Sequence, residues 1–222
     1  MADLNIKGPD ALKLIRDTAI NSVEKFPINS AKQYIAANAD GQLIGDNILF
    51  RYEEEEFQAV GIPPSISWLE YHARTGGYDV ELIRDNPSYC RVGGGDPIVY
   101  RCEVQGPDAM KVIAEVLGHE PPQVKFFQGT RFTIGGKMVR ALRHGTAGEP
   151  GFEFVVPWAD ASEVGELAAV AELHGWNGLF VWEPVWGVDA WVSLTAAAMR
   201  TERIRLGTML TPPSRMRPWK LA

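Results

Sequence analysis

The sequence predicts an α+β protein whose first part forms antiparallel sheets and whose last part follows a parallel pattern. Three observations support this prediction: strand-like runs joined by hairpin turns, a motif repeated within the chain, and a change in the pattern of predicted helices and strands near residue 157. Hairpins mixed with helices favour antiparallel α+β architecture over a doubly wound parallel sheet.

Composition narrows the possible partners of the chain. Its 222 residues carry a formal net charge of −6, whereas a protein that binds nucleic acid normally shows a basic surface. No apolar run approaches the roughly 18 residues that a membrane-spanning helix needs. Two cysteines, Cys90 and Cys102, are too few for a disulfide framework. We therefore expect a cytoplasmic protein without nucleic-acid or membrane partners; its oligomeric state is left open.

Two pairs of strand-like runs flank short turns that contain glycine, a pattern typical of β-hairpins. The predicted hairpins join Lys32–Asn38 to Gln42–Arg51 and Arg131–Ile134 to Lys137–Leu142. A helix is predicted from about Pro64 to Arg74, because the two glycines that follow, Gly76 and Gly77, suit a left-handed helix end.

A ten-residue motif occurs twice in the chain. Residues 6–15, IKGPDALKLI, recur as residues 104–113, VQGPDAMKVI, an offset of 113 − 15 = 98 residues. Each copy is predicted as a strand end followed by a helix, with Pro at the first helical position and Asp on the positive end of the helix dipole. Two structural corners of a duplicated domain explain the repeat; an anion site at the helix start is the alternative.

After residue 157 the sequence pattern changes from hairpins to alternating helices and strands. Six of the seven tryptophans lie at or beyond Trp158, and a boundary is therefore predicted near Pro157, although chance clustering in a single fold would also explain it. The predicted elements are a helix from Asp160 to Gly175, a strand Leu179–Trp182, a helix from Asp189 to about Arg200 and a strand Ile204–Leu210. This βαβ spacing is typical of a parallel sheet or barrel, of which two strands form a fragment.

Among the candidate functional residues, Glu153 is the most suggestive. It follows a turn-rich segment, residues 144–151, and lies between Phe152 and Phe154. A carboxylate at the edge of an aromatic strand can accept paired N–H donors from a flat heterocycle; a surface glutamate on an edge strand is the alternative. The sequence contains no HExxH, CxxC or GxSxG motif, so local spacing predicts no metal site and no serine nucleophile.

These motifs carry a resemblance that spans residues 3–156. The chain resembles the folate-binding domain of the glycine-cleavage T-protein superfamily, in the two Gly-Pro-Asp-Ala copies and in the following segments: Asn38–Gly41, Ile44–Asp46 and Gly148–Glu153. Within that superfamily it is most similar to tetrahydrofolate-dependent aryl O-demethylases that act on vanillate- or syringate-type substrates. Three further segments carry this similarity: Ala31–Tyr34, Thr75–Val80 and Lys125–Phe127.

The resemblance implies tetrahydrofolate as cofactor and a small methoxyaromatic molecule, or another one-carbon donor, as partner. It implies that Glu153 binds the pterin ring, that Phe127 lines the same pocket, and that Arg143 matches the family's arginine before the glycine-rich turn. Gly45 replaces the first residue of the T-protein Asp-Asp pair and leaves Asp46 as a cofactor-binding candidate. This replacement favours the demethylase branch; no catalytic residue is identified.

Residues 158–222 resemble a different family, the luciferase-like flavin monooxygenases. The segments that carry this resemblance are Gly175–Trp182, Asp189–Val192 and Thr201–Thr208. They imply a partial (β/α) barrel, about a quarter of the family's fold, to which no flavin or deazaflavin is expected to bind.

The two resemblances divide the chain into a T-protein-like domain, residues 1–157, and a barrel fragment, residues 158–222. We expect the first to be truncated at both ends, and the whole to be an impaired tetrahydrofolate-dependent methyl or aminomethyl transferase. A non-catalytic folate-binding or chimeric protein, and a flavin-dependent oxidoreductase, are the alternatives.

Overall fold

The computed structural model describes a defined part of the chain, namely residues 2–86, 97–145, 148–157, 169, 172–173, 175–176, 178–181, 194–195 and 197–208. The chain divides into two compact units, residues 1–86 with 101–156 and residues 87–100 with 157–222. The helices are α1 (Ala11–Thr18), α2 (Pro63–Thr75) and α3 (Ala109–Leu117). The strands are β1 (Ala2–Lys7), β2 (Ser30–Ala37), β3 (Leu43–Glu53), β4 (Glu56–Gly61), β5 (Glu81–Asp85), β6 (Val99–Gln105), β7 (Gly129–Ile134), β8 (Lys137–Leu142), β9 (Gly151–Pro157), β10 (Gly178–Val181) and β11 (Arg205–Thr208).

Five strands form the first sheet, in the order β2-β3-β4-β1-β5, and every pair in it is antiparallel. The predicted first hairpin is confirmed as the β2–β3 pair. Its turn is closed by the Asn38 side chain, whose Oδ1 accepts hydrogen bonds from the backbone N–H groups of Asp40 at 3.1 Å and Gln42 at 2.8 Å. Gly41 adopts the positive φ, +76°, that this turn requires.

Helices α1 and α2 contribute to the apolar core of the first sheet. Leu14 and Ile15 of α1 are fully buried, as are Ile66 and Leu69 of α2. The buried positions of α1 are Ala11, Leu14, Ile15 and Thr18, which recur every three or four residues and so lie on one helical face; Ile66 and Leu69 of α2, three residues apart, do the same. The helix predicted from Pro64 to Arg74 is confirmed, with Gly77 in the left-handed region at φ +69° just beyond its end.

Four strands form the second sheet, in the order β6-β9-β8-β7. The second predicted hairpin is confirmed as the β7–β8 pair, with both turn glycines at positive φ. The core of this sheet is aromatic: the rings of Phe132 and Phe152 meet edge to face at 5.4 Å, and Phe154 packs beside them. Such edge-to-face pairs add about 0.5–1.5 kcal/mol to simple burial.

The two copies of the repeated motif form the same corner between strand and helix. Gly8 has a φ of +140° and Gly106 a φ of +147°. In each copy the glycine carbonyl accepts a 3.1 Å hydrogen bond from the first helical residue, Ala11 or Ala109. The prediction of two equivalent corners is therefore confirmed.

One detail of the predicted corner is wrong. The prolines were expected at the first helical position, but Asp10 and Asp108 are the N-cap residues and the prolines precede them. The corner needs a non-helical residue between Pro and the helix, and Asp accepts that backbone conformation more readily than most residues.

The second unit contains one pair of strands among its described residues, β10 and β11, which are parallel as the spacing predicted. The Glu172 carboxylate accepts backbone hydrogen bonds from Glu202, Arg203 and Ile204, which holds the pKa of its side chain below the ordinary value. The helices predicted from Asp160 and Asp189 lie largely outside the described residues. The barrel fragment and the domain limits 1–157 and 158–222 stay predictions.

In the part of the chain that the structure describes, no helix is both long enough and apolar enough to cross a membrane.

Candidate functional site

Glu153 lies on β9, between the two strands that flank it in the second sheet, and its Cα pairs with that of Leu142 on β8. Because side chains alternate along a strand, Phe152 and Phe154 face the aromatic core while Glu153 faces the opposite side of the sheet. Its side chain is 14% exposed. The alternative of a surface glutamate on an edge strand is therefore wrong.

Arg101 on β6 connects Glu153 with the first sheet. Its Nη2 donates to Asp3 Oδ1 on β1 and to Gln58 Oε1 on β4, each at 2.7 Å. Its Nη1 lies 3.5 Å from Glu153 Oε1, and its guanidinium carbon lies 5.1 Å from the centre of the Phe50 ring. We call these five residues the Arg101 cluster.

The Arg101 guanidinium stays charged although its side chain is largely buried. Burial alone would lower the pKa of Arg101, but Asp3, Tyr52 and Glu153 together outweigh it and raise that pKa, so the guanidinium stays protonated. Two carboxylates face one guanidinium here, and the Arg101 side chain is 13% exposed. The Tyr52 hydroxyl donates to Gln58 Oε1 at 2.7 Å, and burial raises the pKa of that hydroxyl.

Two polar atoms of the Arg101 cluster have no hydrogen-bond partner among the described residues. Arg101 Nε is buried and has no hydrogen-bond partner among the described residues. Glu153 Oε1 faces Arg101, and no described donor lies within hydrogen-bond distance of the second carboxylate oxygen. A buried N–H without a partner costs about 1–3 kcal/mol, which a ligand carbonyl or a water would relieve.

Phe127 and Arg143 lie in the connections beside Glu153. The Phe127 N–H donates to the Arg143 carbonyl at 2.7 Å, and the Arg143 guanidinium donates to the Gly151 carbonyl at 3.1 Å, two residues before Glu153. Phe127 has a φ of +62°, a conformation that costs a bulky residue roughly 1–3 kcal/mol and that marks functional or tightly constrained positions. Its ring packs against the cluster that contains Leu142.

The structure therefore brings together three of the four predicted site residues. Asp46, the fourth, lies farther along β3, where its exposed carboxylate accepts a 2.7 Å hydrogen bond from Gln33 Nε2. It lies four positions before Phe50, which corresponds to about 13 Å along a strand.

A small cavity lies between the two sheets of the first unit. It has a volume of about 20 Å³ and is lined by Asn29, Ser30, Phe50, Arg51, Tyr52, Gly129, Thr130, Arg140, Ala141, Leu142 and Val155. A volume of this size holds about one water molecule, whereas small-molecule sites are commonly about 300–1,000 Å³. A bicyclic ring would therefore have to reach Glu153 outside this cavity.

Sequence reasoning missed Arg101, Asp3 and Gln58. One signal was present: Asp3 and Arg101 lie at the same distance before the two copies of the motif, 98 residues apart, and they form the 2.7 Å ion pair. Opposite charges at equivalent positions of a repeat are able to pair where the two copies meet.

His144 was also missed. Its ring lies 5.3 Å from that of Phe127, and its buried Nδ1 has no partner among the described residues. Burial raises the pKa of Glu103, and the nearby His144 acts in the opposite direction. Among the described residues, no group of three or more His, Cys, Asp or Glu side chains is placed to hold a metal ion.

Comparison with known protein families gives two matches. The model of the GCVT N-terminal domain matches residues 1–175, and the model of the luciferase-like monooxygenases matches residues 138–222, so the two overlap over residues 138–175.

Individual relatives agree with the first match. The chain is 43% identical to syringate O-demethylase of Sphingobium sp. over 176 residues, which cover 79% of this chain and 38% of that protein. It is 30% identical to aminomethyltransferase of Exiguobacterium sibiricum over 167 residues, covering 74% of this chain and 43% of the relative. The chain thus spans about two fifths of the length of these relatives.

A solved structure gives the same fold. Glycine cleavage system aminomethyltransferase T from Bartonella henselae superposes with a TM-score of 0.56 at 22% identity, covering 74% of this chain and 42% of that one. The predicted α+β fold of T-protein type is thereby confirmed.

Proposed function

Because the chain belongs to the GCVT N-terminal domain family, we propose that its first unit binds tetrahydrofolate for a one-carbon transfer of the O-demethylase or aminomethyltransferase type. The observation that carries the proposal is the largely buried Glu153 carboxylate, one oxygen of which has no described donor, beside the unpartnered Arg101 Nε.

The chemistry of these two groups fits a pterin ring. A pterin presents an amino group and a ring N–H side by side, which a carboxylate accepts as a pair, and next to them a carbonyl oxygen that accepts from an N–H donor. When bound, tetrahydrofolate supplies a nitrogen nucleophile that takes up the one-carbon group. Charge-assisted contacts of the kind that Glu153 would make are worth about 1.5–3 kcal/mol each.

The remaining site residues have separate roles in this proposal. Phe127 presents an aromatic surface beside the ring, held in place by its backbone bond to Arg143. Arg143 fixes the connection that leads into β9 through its bond to the Gly151 carbonyl. Asp46, at a distance along β3, would contact a different part of the ligand, and we expect Asp46→Asn to weaken binding no more than about fivefold, because it is exposed.

We infer a methoxyaromatic carbon donor rather than an aminomethyl donor. The sequence identity to syringate O-demethylase supports this choice, and so do the side chains that pack around Gly45. A Cβ at position 45 would lie 2.9 Å from Ile62 Cδ1 and 3.1 Å from Ser65 Cβ, so the aspartate of T-proteins does not fit there without movement of Ile62.

Two assays on the full chain test the proposal. Calorimetry under anaerobic conditions measures binding of tetrahydrofolate, which we expect, and its absence would overturn the proposal. Incubation with tetrahydrofolate and syringate, followed by chromatography for 5-methyltetrahydrofolate, separates a methyl transferase from a non-catalytic folate-binding protein.

The alternative of a flavin-dependent oxidoreductase has two observations in its favour: the family match over residues 138–222 and the parallel pairing of β10 with β11. Parallel pairs occur in many α/β folds, so this pairing does not identify a flavin site. Visible absorbance from flavin retained after purification would favour this alternative.

A further inference from the structure

We propose that Arg101 is a positioning residue that sets the orientation of Glu153 for the bound ring, an inference that rests on the proposed function. None of the motifs that predicted the site includes Arg101; its role follows from its contacts.

Arg101 is itself held firmly. Its Nη2 makes two 2.7 Å hydrogen bonds, to Asp3 and to Gln58, and its guanidinium lies over the Phe50 ring at 5.1 Å. Both hydrogen-bond acceptors belong to the first sheet. Because a guanidinium is planar and rigid, fixing Nη2 also fixes the direction in which Nη1 points.

The contact of Arg101 with Glu153 is looser. The distance between Nη1 and Oε1 is 3.5 Å, longer than an ordinary charge-assisted hydrogen bond of about 2.7–2.9 Å. Arg101 therefore attracts one carboxylate oxygen and biases the orientation of the group, while Glu153 keeps most of its capacity to accept hydrogen bonds.

The same guanidinium also separates two like charges. Asp3 and Glu153 both contact Arg101, and both side chains are nearly nine-tenths buried. Without Arg101 the two carboxylates would repel each other in a medium of low dielectric, and Glu153 would turn away from its present position. This reorientation removes the paired acceptors that the ring requires.

A stabilising role and a positioning role are separable, because Arg101 contacts Asp3 and Glu153 through different nitrogens. Replacing Arg101 by Gln alone strands the Asp3 charge and lowers stability. The double variant Asp3→Asn with Arg101→Gln removes that charge and leaves two amides able to bond each other.

The experiment compares four proteins, the unchanged chain, Arg101→Lys, Arg101→Gln and the double variant, in two measurements. Urea unfolding gives stability, and calorimetry with 5-formyltetrahydrofolate, an oxidation-resistant folate, gives affinity. We expect the double variant to recover a urea midpoint close to that of the unchanged chain but to bind about tenfold more weakly, or worse. Arg101→Lys keeps the positive charge but loses the planar guanidinium with its two donor nitrogens. Its affinity should lie between those of the unchanged chain and the double variant.

A second comparison uses the Glu153→Gln background. There Arg101→Gln should weaken folate binding by no more than about threefold, against about tenfold where Glu153 is present, because the group that it positions is gone and only the contact of Nε with the ring carbonyl remains to be lost. Recovery of full affinity by the double variant would overturn the positioning role while leaving the proposed function intact. Failure of the unchanged chain to bind 5-formyltetrahydrofolate would overturn both.

Discussion

The two copies of the Gly-Pro-Asp-Ala corner share a backbone but differ in their surroundings. In the first copy, a Cβ on Gly8 would lie 2.5 Å from the Asp79 carbonyl oxygen. In the second, a Cβ on Gly106 would meet no described atom within 4 Å. Helix α1 buries four residues, Leu14 and Ile15 among them, whereas α3 buries Ala109 and Ile113.

The difference shows which property the repeated motif determines. Both glycines require a positive φ because the chain makes the same turn, and this is local chemistry. Burial depends on the segments that pack over the corner, which lie elsewhere in the sequence. The strands that lead into the two copies, β1 and β6, also meet directly through the ion pair of Asp3 with Arg101.

The largest effect is expected from alanine at the two glycines. At Gly106 the cost is backbone strain at φ +147°, about 1–3 kcal/mol in the free energy of unfolding. At Gly8 the same strain is joined by a collision with a backbone oxygen, so we expect Gly8→Ala to cost about 4 kcal/mol or more. Urea unfolding followed by circular dichroism measures both. Equal losses would show that the surroundings do not matter.

A smaller effect on the free energy of unfolding is expected at alkaline pH, from the apolar core into which helix α1 packs. Tyr34 is fully buried there, and burial raises its pKa from 10.0 to about 12. Below pH 10 the phenol is protonated in both the folded and the unfolded state, so its burial contributes in full to the free energy of unfolding. Between pH 10 and about 12 the unfolded state ionises while the folded state does not, so the free energy of unfolding falls by about 2–3 kcal/mol.

Tyr34→Phe should remove this fall. The variant loses the 3.3 Å bond from the Tyr34 hydroxyl to the Thr18 carbonyl, and hence about 1 kcal/mol at neutral pH. Its stability should then vary less between pH 9 and about pH 12 than that of the unchanged chain. Parallel curves for the two proteins would mean that Tyr34 is not the group responsible.

The smallest difference is expected at the N-cap aspartates. The Asp10 carboxylate accepts a 3.0 Å hydrogen bond from the backbone N–H of Asp79, whereas that of Asp108 meets the exposed Lys111 ammonium at 2.7 Å. Both variants lose the interaction of the aspartate with the helix dipole. Beyond this shared loss, we expect Asp10→Ala to lower the free energy of unfolding by about 1 kcal/mol and Asp108→Ala by no more than about 0.5 kcal/mol. Chemical denaturation of both variants measures this, and the reverse ranking would contradict it.

Local patterns predicted much of the fold. Both hairpins and helix α2 were predicted because turn glycines and strand alternation act over a few residues. The position of the prolines was predicted incorrectly, because Pro and Asp both favour a helix start and the sequence does not say which of them takes the N-cap.

The site was predicted in part. Glu153, Phe127 and Arg143 came from family resemblance, and the structure brings them together. Arg101 was not predicted, because its three partners lie 98, 43 and 52 residues away and no local pattern joins them. A charged residue that acts through tertiary contacts leaves little trace in the sequence around it.

The central claim is that Glu153 anchors tetrahydrofolate, and calorimetry on two matched variants tests it most directly. Glu153→Gln keeps the shape but removes the charge and one acceptor; Glu149→Gln makes the same chemical change at an exposed position four residues earlier. We predict about tenfold or greater weakening of tetrahydrofolate binding for Glu153→Gln, and less than about twofold for Glu149→Gln. Equal affinities for the unchanged chain and Glu153→Gln would remove Glu153 from the site and contradict the account.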